Sequence, residues 1–257
     1  MKETVIVEKE KVELRNPILI EGLPGLGVVG KIVAEYLIKH LDAKEFAELY
    51  SPHFAYYVIV EKDGSVRLLR NVFYYWENED GENDLILLTG DSQAQTVEGQ
   101  YEVADRILDF ARKNNVRLII TVGGYRDKVE GEPKVIATST NPQILNRALE
   151  AGAVSSPLGN PIVGTAGLIL GLARLKGIDA LCLLGETLGY MPDPKAAKGV
   201  LKVLSRLLGI TIDLADIDGE IAKLEERMER VKELEEKRRL FEQRKKMTEK
   251  EKVTYIS

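Results

Sequence analysis

Four carboxylates lie where apolar runs end: Glu21, Asp91, Asp127 and Glu186. Open α/β sheets bind ligands at the carboxyl ends of their strands, so acids gathered there could act as general acids or bases. The same positions also suit helix capping and pairing with lysine, and no metal-ligand spacing ties the four together. They are catalytic candidates only if the fold brings them to one place. The second feature is Gly25-Leu26-Gly27-Val28-Val29-Gly30, which satisfies G-x-G-x-x-G between an apolar run and an amphipathic one. In that context backbone amides can hold a pyrophosphate. Gly22 and Pro24 precede the triplet, however, and Phe46-Ala47-Glu48-Leu49-Tyr50 offers no clear strand ending in a ribose-binding acid. Two readings stand: a nucleotide- or nucleoside-binding loop working with Asp91 or Glu186, or a tight turn in which Gly22, Pro24, Gly25, Gly27 and Gly30 let a helix close on a strand. The turn is the favoured reading.

Other candidates carry less chemistry. Gly159, Gly164, Gly167 and Gly171 surround Pro161-Ile162-Val163, but no Lys-Ser/Thr pair follows as a P-loop needs, so they read as packing positions. His40 ends an amphipathic stretch and His53 follows Ser51-Pro52; neither neighbours a Ser or Cys nucleophile. Cys182 is the single cysteine, set in Leu181-Cys182-Leu183-Leu184. It reads as a buried thiol, which excludes an internal disulfide and any Cys-based metal site within one chain. Neither cofactor nor metal is expected.

The elements that must position these residues follow from periodicity. Pro17 to Glu21 reads as a strand and Val28 to Leu41 as an amphipathic helix. Asp84 to Thr89, Arg117 to Val122 and Asp179 to Leu184 are continuously apolar, as strands buried on both faces are. Helices are predicted near Thr96 to Lys113, Asn141 to Ala151, Thr165 to Lys176 and Pro194 to Leu208, with Asn141-Pro142 and Asp193-Pro194 as N-caps. Asp63-Gly64 joins two β-rich runs, Phe54 to Val60 and Val66 to Tyr75, as a hairpin. Alternating strands and helices predict an α/β fold with a mainly parallel sheet flanked by helices, the hairpin adding antiparallel strands.

Two domains are expected: an α/β core over residues 1–212 and a charged helical arm with a flexible tail over 213–257. In the arm Ile217, Ile221, Leu224, Met228 and Val231 alternate in spacings of four and three, a short coiled-coil seam. The phase shifts at Leu234, and beyond Phe241 the chain is almost wholly charged. Asp213, Asp216 and Asp218 at the start of the arm and Arg244, Lys245 and Lys246 towards its end match a helix dipole.

The chain carries a net charge of −5, and from Glu220 to Lys252 12 basic and 10 acidic residues give +2, leaving −7 elsewhere. Neither part is a one-signed patch for gripping phosphate backbones, so no nucleic-acid partner is expected. No apolar run of membrane-spanning length occurs and Met1-Lys2-Glu3-Thr4 opens no signal peptide, so a cytoplasmic protein with no membrane partner is expected. The richness in Glu, Lys and Arg and scarcity of Cys, Met, Asn and Gln resemble a thermophile's balance.

Two stretches, Glu21 to Leu37 and Gly185-Glu186-Thr187-Leu188-Gly189-Tyr190-Met191-Pro192-Asp193-Pro194-Lys195-Ala196-Ala197, resemble the archaeal homologues of the proteasome assembly chaperones. The resemblance covers about residues 15 to 212. It implies a nucleoside-phosphorylase-like α/β core, no catalytic residues, and a chaperone or adaptor that acts on 20S proteasome α-subunits. It also implies homo-oligomers or pairing with a paralogue. Activators of the proteasome commonly insert a C-terminal tail of hydrophobic residue, tyrosine, any residue. Here the end is Val253-Thr254-Tyr255-Ile256-Ser257, with tyrosine third from the end and Thr254 before it. Val253, Tyr255, Ile256 and Ser257 are the tail residues to which partner binding is assigned, and the arm becomes a tether.

Overall fold

The computed structural model describes residues 1–129, 131–219, 221–223 and 226. The chain divides into two units, Met1–Asp213 and Leu214–Ser257. In chain order the strands of the first unit are β1 (Val5–Glu8), β2 (Ile18–Glu21), β3 (Lys44–Tyr50), β4 (Val58–Val60), β5 (Val66–Leu68), β6 (Asn71–Trp76), β7 (Leu85–Gly90), β8 (Leu118–Arg126), β9 (Val135–Ser139), β10 (Val154–Ser155) and β11 (Asp179–Thr187). The helices are α1 (Val29–His40), α2 (Val97–Lys113), α3 (Pro142–Glu150), α4 (Thr165–Leu175) and α5 (Pro194–Leu208).

The main sheet runs β1-β3-β6-β7-β2-β8-β11-β9-β10. Its centre, β7-β2-β8-β11, is parallel. Strands β6, β3 and β1 extend it antiparallel on one side, and on the other β9 lies antiparallel to β11 with β10 parallel to β9. The sheet is therefore mixed rather than mainly parallel. The continuously apolar runs are the parallel centre, buried on both faces. Among the additions β1 and β3 carry charges and β10 has two residues, which an apolar-run criterion passes over, while all of β6 but Trp76 lies within the predicted run Val66 to Tyr75. Asp63-Gly64 does join a hairpin, but β4 and β5 form a separate two-stranded sheet. The chain turns between β5 and β6 because Asp91 accepts from the Arg70 N–H at 3.0 Å and from the Arg67 guanidinium at 3.1 Å. The segment around Phe46 is a strand after all. A register shift between Glu45 and Ala47 interrupts its period of two, and the strand sits three places from β2, beside β1 and β6.

Alternate residues of the central strands feed two layers. Leu19, Ile119 and Ala180 join the core under α2 and α4 with Val103, Ile107 and Ile169, while Ile18 and Ile20 point to the face covered by α1 and α5. Phe110 of α2 meets Phe73 of β6 at 4.4 Å between ring centroids and Phe46 of β3 at 5.7 Å, so the antiparallel wing is held by an aromatic cluster. The helix starts are set by side chains: Thr96, Asn141 and Asp193 accept from the Gly99, Gln143 and Ala196 amides at 3.1, 2.9 and 2.9 Å. His40 Nε2 accepts from the Asp213 amide at 3.2 Å, and His53 lies 3.2 Å from Glu102.

Helix α1 approaches the sheet closely because of two glycines. A Cβ on Gly22 would overlap the Gly30 carbonyl oxygen, and one on Gly30 would overlap the Val122 carbonyl oxygen of β8. Both obstacles are backbone and cannot rotate away. Gly30→Ala is expected to cost about 3 kcal/mol, the upper end of overpacking. Gly171→Ala, on an exposed face of α4 with nothing near its Cβ, is expected to be neutral or to gain up to about 1 kcal/mol. Chemical denaturation of the two variants checks the contrast.

Candidate functional site

The chain leaves β2 for α1 on one face of the sheet and the neighbouring β7 for α2 on the other, so a crevice opens at the carboxyl ends of these strands. Beside it is a cavity of about 560 Å³, lined by Glu21, Leu23 and Leu26 from the first loop, Val122 to Arg126 from β8, Leu184 from β11 and Pro161 to Gly164 before α4. Gln93 straps its rim. Its Nε2 donates to the Pro24 carbonyl at 2.7 Å, and its Oε1 accepts from the Thr165 amide and hydroxyl, both at 3.1 Å. One side chain thus ties the glycine turn to the start of α4. Gln100 completes the strap by accepting from the Thr165 hydroxyl at 2.8 Å. Sequence reasoning missed Gln93, Gln100, Thr165, Tyr125 and Arg126. The available signal was positional: Gln93 follows the end of β7, and Tyr125 and Arg126 end β8.

The four acids do not converge. Asp91 pairs with Arg67 and the Arg70 amide. Burial works to raise its pKa, but the Arg67 hydrogen bonds and charge and the Arg70 N–H outweigh burial and hold the carboxyl below its ordinary range. Asp127 is exposed and accepts from the Lys128 amide at 2.7 Å. Glu186 is buried and accepts from the Lys134 amide at 3.1 Å, pinning the loop before β9 to β11.

Glu21 alone lines the cavity, and it is only 1 % exposed. One carboxyl oxygen accepts from the Leu23 amide at 3.3 Å, and Oε2 has no partner. Burial pushes its pKa up from the ordinary 4.5 to about 8, against the lowering effect of the Leu23 N–H. Thr121 sits beside it on β8 and Cys182 beside Thr121 on β11, a row of carboxyl, hydroxyl and thiol across the sheet. Burial pushes the Cys182 thiol up to about 12, so it stays protonated and unreactive.

The glycine turn faces protein rather than an open cradle. Gly27, at φ +59°, abuts the Thr187 side chain, and its carbonyl accepts from the Asp193 amide at 2.8 Å. A Cβ on Gly124 would overlap the Leu26 carbonyl. The ribose-binding strand expected of a dinucleotide fold is absent beside β2, whose neighbours are β7 and β8. No group of three or more potential metal ligands occurs among the described residues, and no helix there is long and apolar enough to cross a membrane.

Two exposed apolar surfaces remain. Val58, Val60, Val66 and Leu68 are exposed and share one face of the hairpin through the pairs Val58 with Leu68 and Val60 with Val66, while Ile59 packs inward. Leu26 and Val163 on the cavity lining are exposed, as are Leu188, Tyr190 and Met191 after β11, and the Arg126 guanidinium of the lining lies 5.1 Å from the centre of the Tyr190 ring. Of the arm, residues 215–219 and 221–223 are helical; Ile217 is buried and Ile221 half-buried. Leu224, Met228 and Val231, with Val253, Tyr255, Ile256 and Ser257, lie outside the described residues.

Fold and site together define an open α/β protein with a switch-point crevice, glycine-packed against its first helix and lacking the strand order of a dinucleotide binder. The chain belongs to the PAC2 family, whose sequence pattern matches residues 19–232. It is similar to the crystal structure of Pyrococcus furiosus PbaB, an archaeal proteasome activator: identity is 44%, the TM-score 0.86, and the match covers 90% of this chain and 100% of that one. It is also similar to Pyrococcus furiosus PbaA, an archaeal homolog of proteasome-assembly chaperone, at 28% identity and a TM-score of 0.76, covering 99% of this chain and 100% of that one. An uncharacterized Methanocaldococcus jannaschii protein, MJ1210, is 34% identical over 217 residues, 84% of this chain and 83% of its own length.

Because the folded state raises the Glu21 pKa, it holds a proton that the unfolded chain releases between about 4.5 and about 8. Its contribution to stability is complete below that window and is lost as pH rises through it. Glu21→Gln keeps the Leu23 hydrogen bond without the ionisation. The variant is expected to lose less stability than the wild type between the two ends of the window, read as the shift in urea midpoint.

Proposed function

We propose that the protein is a non-enzymatic adaptor of the 20S proteasome, an assembly chaperone or activator-like factor that oligomerises and binds α-subunits. The observation that carries this reading is the 44% identity to the archaeal proteasome activator PbaB over the whole of that chain. Two features of the molecule support it. The acids at the strand ends are committed to separate local partners, Asp91 to Arg67 and Glu186 to the Lys134 amide, instead of forming one acid and base set. The hairpin presents four exposed aliphatic side chains on one face, the kind of surface that marks protein association.

In this reading residues 1–212 form the core and 213–257 the arm. The seam of Ile217, Ile221, Leu224, Met228 and Val231 makes a short coiled-coil contact in a homo-oligomer or with a paralogue. Val253, Tyr255, Ile256 and Ser257 anchor the tail on α-subunits. Several weak tails presented to one symmetric partner gain avidity through effective concentration.

Immobilised α-subunits should retain the full chain, and removal of residues 253–257 should weaken retention by about tenfold or more through lost avidity. Retention of neither protein would overturn the proposal. Light scattering of a chain lacking residues 213–257 then divides the arm's roles: a smaller assembly marks the seam as the oligomer contact, an unchanged one with weaker α-subunit binding marks the arm as a tether alone.

A further inference from the structure

The cavity over Glu21 is built in a way that an adaptor role does not require. Nearly every polar group around it is already engaged. Gln93 is committed through both ends of its amide, Gln100 donates to the Ala94 carbonyl at 2.7 Å and accepts from Thr165, and the Tyr125 hydroxyl accepts from Asn160 at 2.9 Å. Glu21 lines the cavity, and its Oε2 is buried with no partner, as is the hydroxyl of Thr121 beside it on β8. An ionised carboxylate in that position would need several donors, and the Leu23 amide is the one donor bonded to it. The arrangement suits the neutral acid, whose second oxygen carries an O–H. That is a buried donor lacking an acceptor.

The surroundings define what could supply one. Leu23, Val122, Ile162 and Leu184 make the walls apolar, so the body of a ligand must be apolar too. Arg126 lies at the outer part of the cavity, stacked on the exposed Tyr190 ring, and presents the cationic group there. Cys182 on β11 and Tyr125 and Arg126 on β8 are the titratable groups near Glu21; α2 and α4 contribute the neutral Gln100 and Thr165. A cationic ligand would therefore find no ionised partner inside and a like charge at the mouth. An inner carbonyl oxygen fits the floor, and an anionic outer group fits the mouth. A volume of about 560 Å³ lies within the range of sites for small molecules.

We propose that this cavity is a binding site for a small, mainly apolar molecule with an inner neutral carbonyl, which accepts a hydrogen bond from Glu21 Oε2, and an outer anionic group that faces Arg126. None of its lining residues belongs to the arm or to the hairpin.

Three probes of shared shape test the idea on the full chain: cyclohexyl methyl ketone, 4-cyclohexyl-4-oxobutanoate, which adds an outer carboxylate, and cyclohexylmethylamine, which reverses the charge and the hydrogen-bond sense. Titrations are followed by the amide resonances of Val122 to Tyr125. The ketone should give saturable shifts, the keto acid should bind several-fold more tightly, and the amine should give none. Arg126→Ala should remove only the advantage of the keto acid. Glu21→Leu should weaken the ketone by about tenfold, the cost of one buried hydrogen bond, while Glu21→Gln, which keeps an N–H donor, should retain it. Glu21→Leu replaces an unpaired buried carboxyl by an apolar group of similar size, and the Gln variant reports independently if the Leu variant does not fold. The proposal is overturned if the amine binds as well as the ketone, if the Leu variant binds the ketone unchanged, if the Gln variant loses it, or if no ketone shift saturates up to its solubility limit.

Discussion

The approach of α1 to β8 is the constraint on which the rest of the molecule hangs. Gly30 brings the helix backbone against the Val122 carbonyl, and Gly22 lets the preceding loop lie under the same turn. With α1 that close, Leu26 meets Gly124, Gly27 meets Thr187, and the loop after β11 closes over the turn through the Asp193 amide. The start of α5 is fixed in consequence, because Asp193 also caps that helix and accepts from the Thr187 hydroxyl at 2.7 Å. A contact between two backbones thereby sets the positions of three strand ends and two helices. Pyrophosphate-type use of the same glycines would require that contact to be open.

Electrostatics at the sheet edge divides along the same line. Asp91 and Glu186 each meet donors that hold loops in place, Asp91 at the turn into β6 and Glu186 at the entry to β9. Glu21 is bonded to one donor, the Leu23 amide, and burial outweighs it. Three chemically equivalent groups at equivalent positions thus do different things, and the difference lies in what the neighbouring loops present to them.

The parallel centre and the five helices of the first unit were legible in the sequence, because strands buried on both faces read as continuous apolar runs and the caps Asn141 and Asp193 stand next to prolines. Of the antiparallel wing, β6 up to Tyr75 fell within the β-rich run Val66 to Tyr75, whereas β1 and β3 did not stand out. In β3 a register shift breaks the alternation, and Glu48 is buried only because Arg70 and Lys9, distant in sequence, come to pair with it. The hairpin turn was visible in Asp63-Gly64, but its separation from the main sheet depends on Asp91 holding Arg67 and Arg70 from another strand. At the cavity, the sequence placed Glu21 at a strand end without distinguishing it from the other acids. Its lack of partners is a property of the assembled loops. The Gln93 strap was invisible for the same reason, since its partners Pro24 and Thr165 are about 70 residues away on either side.

The strand order also dictates when this protein can become a finished object. Strand β2, near the start of the chain, pairs with β7 and β8, and β8 in turn needs β11, which ends at Thr187. A chain emerging from the ribosome must therefore hold its first central strand without both neighbours until residue 126 is made, and without the α5 cover until residue 208. Such non-local pairing is slow and leaves apolar strand surface open to other chains meanwhile. The antiparallel pairs β1-β3, β3-β6 and β6-β7 can all be made once residue 90 is synthesised, so the order of synthesis favours a start at the antiparallel wing, with the ligand-facing edge assembled last.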